Sequence, residues 1–112
     1  MSLFVKLFSF FIPILMIIFG ILMWLAPPKN INNSYGYRTK KSMMNQEAWD
    51  YAQICAGKSM FLVGIVLIFV TLFLLPRITL DSGSVLITIL SIQIVFMFIP
   101  FAGVEHILKS KF

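Results

Sequence analysis

Three runs without a single charged residue, 7–26, 59–75 and 84–103, limit what this chain can become. A hydrocarbon core about 30 Å thick is crossed by roughly 20 consecutive apolar residues in a helix. Each run is read as one span. The second is short at 17 residues, yet Ala52, Ile54, Cys55, Ala56 and Gly57 before it are helix-compatible, so a continuous helix is expected to enter it from outside the bilayer. Composition points the same way: 60% of the residues are hydrophobic and 12% charged, against roughly one quarter charged in soluble domains. This disfavours a large soluble core, a disordered chain and a self-contained soluble enzyme. Cys55 is the single cysteine, so an internal disulfide scaffold is out of reach. The expected fold is all-α: one domain over 1–112, an integral membrane three-helix bundle with a polar cytoplasmic loop, 27–58, between helices 1 and 2.

The first run follows Lys6 near the amino terminus, as in a signal peptide. Twenty apolar residues are long for a secretory segment, and Trp24-Leu25-Ala26-Pro27-Pro28 lacks a small-residue cleavage pattern, so the run reads as a retained helix. Pro27-Pro28 ends it, because proline removes a backbone donor and biases the preceding residue away from helix. Pro13 and Pro100 are expected to kink the first and third spans.

Charge then sets direction. The side holding the amino terminus and the turn after Pro76 carries Lys6 and Arg77; the other carries Lys29, Arg38, Lys40, Lys41, Lys58, Lys109 and Lys111. Cytoplasmic loops collect the basic excess. The expectation is a multi-pass protein of the bacterial cytoplasmic membrane, amino terminus outside, with 27–58 and the carboxyl terminus cytoplasmic. The net charge of +5 is thereby read as orientation and contact with anionic headgroups, and nucleic acid is not expected as a partner.

Nearly every residue capable of chemistry lies in 27–58. Its first half, with Asn30, Asn32, Asn33, Ser34 and Gly36, is turn-forming. From Asn45, a natural cap, Gln46 and Glu47 suit a first turn and Ala48 to Gly57 propagate it. A helix over 45–75 would be about 46 Å long and overshoot the hydrocarbon. On its protruding part Trp49, Ala52, Gln53 and Ala56 share a stripe. Trp49 is read as an interface anchor, with the alanines against the Tyr-Gly-Tyr loop.

Arg38 lies in Tyr35-Gly36-Tyr37-Arg38-Thr39, and its planar guanidinium can grip a carboxylate or phosphate through two parallel bonds. Two readings stand. Arg38 clamps the loop to Glu47, Asp50 or Glu105, or it receives a ligand at a cytoplasmic cluster of those residues with His106. Gln93, inside the third span, is expected to hydrogen-bond across the bundle. A catalytic set is not apparent: one histidine, one cysteine and scattered acids supply neither a metal centre nor a triad, and no cofactor is implied.

The run Asn32-x-x-Tyr35-Gly36-Tyr37-Arg38-Thr39-x-x-Ser42, followed by Asn45, Trp49 and Ala52 and then an apolar helix, resembles the signature of the SdpI family. The ending, with Pro100, Glu105, Leu108 and Lys109, is similar too, so the resemblance runs over roughly 24–112. The family consists of small multi-span membrane proteins of mostly Gram-positive bacteria, and longer members carry further helices before this three-span unit. The resemblance implies an immunity or resistance factor that binds or neutralises a membrane-active peptide toxin and signals inward to a regulatory protein. Its motif residues here are Asn32, Tyr35, Gly36, Tyr37, Arg38, Thr39, Ser42, Asn45 and Trp49, with Glu47, Asp50 and Glu105 as the acids beside them. Two alternatives stay open: a membrane enzyme or lipid-phosphate binder using Arg38 and the acids, and an accessory subunit of a larger membrane complex. Three helices leave much apolar surface uncovered, which lipid or a homo-oligomer would cover.

Overall fold

In the computed structural model, which describes residues 2–112, each helix starts and stops where local chemistry directs it. Ser2 accepts a bond from the Val5 amide and opens α1, Leu3–Phe8. The chain breaks at Ser9-Phe10 and resumes as α2, Phe11–Leu25. The break lies one turn before Pro13, whose ring crowds the carbonyl four residues back and whose nitrogen offers that carbonyl no donor. Asn45 accepts from the Ala48 amide at 2.8 Å and opens α3, Gln46–Leu74, which tightens into a 3-10 turn over Leu75–Arg77. The last helix, α4, covers Ser82–Lys111 and runs unbroken through Pro100.

No strand occurs among the described residues. Three helical stretches, Leu3–Leu25, Gln46–Arg77 and Ser82–Lys111, are long and apolar enough to cross a membrane. The expected spans fall on these stretches, the first overrunning its helix by Ala26 alone, and the carboxyl tail after Gly103 continues α4. The expected helix over 45–75 matches α3 to within a residue at each end.

Helix α3 sits in the middle; α2 packs closely along it, α4 packs on it as well, and α2 and α4 meet only sparsely. The α2–α3 contact is backbone against backbone. A Cβ on Gly20 would come within 2.6 Å of the Phe61 nitrogen, and one on Gly57 within 2.5 Å of the Trp24 nitrogen. Small residues let membrane helices approach this closely, where packing replaces the hydrophobic drive that lipid removes. One apolar cluster, Met23, Tyr37, Ala52, Ala56, Val104 and Leu108, fills the end nearest the loop; Val5, Leu75, Val85 and Ile89 fill the opposite end. Outward residues such as Leu62, Phe69, Ile87, Val95 and Phe98 are exposed, as a lipid-facing surface requires.

The broken first span is tied to α4 through a buried amide. Gln93 donates from Nε2 to the Ser9 carbonyl at 2.6 Å and to the Thr71 hydroxyl at 2.9 Å, bridging all three spans. The Ser9 carbonyl is the group that Pro13 deprives of its helical donor, so α4 supplies what α2 withholds. This predicts a coupled pair. Pro13→Ala restores an N–H to Ser9, and Gln93→Leu should then cost about 1 kcal/mol less than in the unaltered chain, near the upper range for such bonds in membranes. Thermal unfolding of both single variants and the double variant in detergent measures this coupling; simple additivity would refute it.

Candidate functional site: the loop on the helix ends

Segment 26–45 is folded by its own polar side chains. Asn32 Oδ1 accepts from the amides of Ser34 and Tyr35 at 2.9 and 2.8 Å, forming the turn that leads into Gly36. Gly36 has φ +115°, and a Cβ there would lie 2.6 Å from Gln53 Oε1. Glycine is required twice, by conformation and by space. Immediately after it, Gln53 holds the Tyr37 backbone from both sides: Oε1 accepts from the Tyr37 amide at 2.7 Å and Nε2 donates to its carbonyl at 2.9 Å. Gln53 is fully buried on α3, and this pairing satisfies an amide that would otherwise be costly there.

Ser42 completes the next turn. Its hydroxyl accepts from the Thr39 amide at 2.8 Å and is shared between the Tyr37 and Thr39 carbonyls at 3.0 and 3.1 Å. Trp49 is fully buried and donates from its indole to the Pro28 carbonyl at 2.8 Å. This corrects the reading of Trp49 as an interface anchor: it is a core residue fastening the start of the loop. The expectation for the alanines holds, since Ala52 and Ala56 pack in one cluster with Tyr37.

Glu105, near the end of α4, is where the loop meets the third span. Its Oε1 accepts from the Tyr37 hydroxyl at 2.8 Å and the Thr39 hydroxyl at 2.5 Å. Hydrogen bonds to an ionised acceptor are stronger than neutral ones. The Tyr37 ring also lies 5.3 Å from that of Phe101, whose carbonyl is a second, longer contact of the phenol at 3.2 Å. Burial, then the adjacent Glu105 carboxylate, pushes the Tyr37 phenol well above its ordinary range.

The residues expected to form a charged cluster take separate partners. Arg38 is exposed and donates to the Asn33 carbonyl, within its own loop. Glu47 and Asp50 lie exposed on α3, where Gln46 Nε2 bridges Asp50, at 2.7 Å, to the Lys29 carbonyl, at 2.6 Å. His106 is exposed, whereas Glu105 beside it turns inward to Tyr37 and Thr39. The clamp between loop and helix therefore exists, but it is made by Gln53, Trp49 and Glu105 rather than by Arg38. Among the motif side chains, Tyr35 and Arg38 are displayed outward, while Tyr37, Ser42 and Trp49 are buried in the fold.

Residues 29–103 match the SdpI/YfhL protein family, which takes in the loop, α3 and most of α4. The chain belongs to the SdpI/YfhL family. The match starts later and ends earlier than the resemblance read from the motif, leaving Glu105 two positions beyond it. Within the family, a Bacillus subtilis (strain 168) relative named "Uncharacterized protein YfhL" is 51% identical over 53 residues, 47% of this chain and 48% of the relative. The shared stretch thus spans about half of each. No solved structure matches.

Gln53 was visible in the sequence only as one member of a small-residue stripe. An amide amid alanines on a helix face is the signal that a polar partner must come to it.

Two outcomes follow from this geometry. Gly36→Ala should destabilise the loop by about 2 kcal/mol through backbone strain and displacement of the Gln53 amide, seen as faster tryptic cleavage after Lys40 and Lys41. Because the folded state raises the Tyr37 pKa, its contribution is complete below the ordinary phenol value of about 10 and declines as pH rises past it. Stability should fall more steeply above that pH in the natural chain than in Tyr37→Phe. Parallel alkaline limbs would contradict it.

Proposed function

We propose that this SdpI/YfhL-family chain is a membrane immunity factor that binds a membrane-active peptide toxin on the lipid-facing surface of its helices. The family membership carries this reading. It is supported by the way the loop is used: its motif side chains mostly brace the helix ends, which leaves the apolar outer faces as the broad surface available to an inserted helix. In this reading 27–58 and the carboxyl terminus are cytoplasmic, the amino terminus is outside, and the chain sits in the bacterial cytoplasmic membrane. The braced loop holds the bundle in one shape and presents Tyr35 and Arg38 to an inward partner.

Binding here needs no chemical step. A toxin helix that packs against α3 or α4 exchanges lipid contacts for side-chain contacts, and affinity comes from close packing and a few interhelical hydrogen bonds. A lipid-phosphate enzyme built on Arg38 and the acids is less well supported, because Arg38 and Glu105 turn to different partners.

The test is expression in a toxin-sensitive bacterium, challenged with a panel of membrane-active peptides that includes one encoded beside this gene. The chain should raise the killing concentration of its cognate peptide roughly tenfold, what about 1.4 kcal/mol of binding corresponds to. Gly36→Ala should weaken protection at equal membrane abundance. Unchanged killing across the panel would overturn the reading.

A further inference from the structure

At the end of the bundle away from the loop, a groove of about 510 Å³ is lined by Lys6, Phe10, Leu72, Leu75 and Pro76. Its base is part of the core: Leu75 is buried with Val5, Val85 and Ile89, and Phe10 packs against that cluster. Its outer side belongs to the membrane-facing surface, since Leu72 and its neighbour Phe73 are 55% and 58% exposed on a helix long enough to span. Among the described lining residues only Lys6 carries a charge. Arg77 at the same end lies over the Phe73 ring, 3.9 Å from its centroid, and donates to the Phe73 carbonyl. Asp81 lies exposed just before α4. Among the described residues Lys6 is therefore the cation that the groove presents.

We propose that this groove is a binding site for one anionic phospholipid, an acyl chain lying on Phe10, Leu72, Leu75 and Pro76 and the headgroup phosphate paired with Lys6. The two halves do different work. An acyl chain gains little by leaving other acyl chains for leucine and phenylalanine, so the apolar walls give shape but not selectivity. Selection comes from charge at headgroup depth. A flexible lysine stem can lie along the apolar wall while its ammonium reaches the interface, and one basic residue there favours an anionic over a zwitterionic lipid by about five-fold. The site does not depend on toxin binding.

Photolabelling tests it in place, using the full chain in phosphatidylcholine vesicles that contain a trace of either phosphatidylglycerol or phosphatidylcholine with a diazirine in the acyl chain. Cross-links to the peptide containing Leu72, Leu75 and Pro76 should be about five-fold more abundant with the phosphatidylglycerol probe, and Lys6→Gln should remove that preference. Lys6 is exposed, so the substitution leaves the packing intact, and unchanged helical circular dichroism confirms it. Lys40→Gln, on the loop, should leave the preference untouched. Equal labelling by the two probes would show ordinary surrounding lipid and overturn the proposal. Persistence of the preference in Lys6→Gln would overturn it equally.

Discussion

The Gln53 side chain organises the end of the molecule where the loop folds back. A loop lying on helix ends at a membrane boundary must place its backbone groups somewhere, and a buried unpaired N–H or C=O is expensive. Gln53 answers for both groups of one residue, Tyr37, from a fully buried position on α3. Everything near it is a consequence. Gly36 must be glycine to let the amide approach, Tyr37 is held so that its hydroxyl meets Glu105, and Ser42 closes the following turn onto the same Tyr37 carbonyl.

The three spans were legible because long apolar runs and cap residues act locally. Asn45 caps α3 and Pro13 interrupts the first span for reasons contained within four residues. Gln93 was legible as a crossing hydrogen bond, since an amide inside an apolar span has few other choices, although its partners Ser9 and Thr71 were not. The loop was harder. Residue types suggested that Arg38 would seek Glu47, Asp50 or Glu105, yet a guanidinium at an exposed turn is satisfied by a nearby carbonyl, and Glu105 is held by hydroxyls more than sixty positions away in sequence. Spacing reports which residues could meet; direction depends on the turn, and the turn depends on Gly36 and Gln53.

The motif thus divides by orientation. Its inward members make a brace with buried hydrogen bonds, and that brace ties residues of α3, α4 and the loop into one body. Tyr35 and Arg38 stand outside it, on the surface of a structure that holds their backbone in place. A displayed pair on a rigid support is better suited to recognition than the same pair on a mobile tail, because less freedom is lost on contact.

The crossing of α2 and α3 at Gly20 and Gly57 has a mechanical corollary. Two backbones in direct contact cannot slide past each other by a turn without side chains colliding with main chain, so this hairpin behaves as a single rod. Helix α4 meets α2 only sparsely and is joined to this rod mainly through α3. Two polar ties hold it, Gln93 near mid-helix and Glu105 near the end. A load on the end of α4 therefore reaches Tyr37 and Thr39 through Glu105, at the opposite end of the bundle from Lys6.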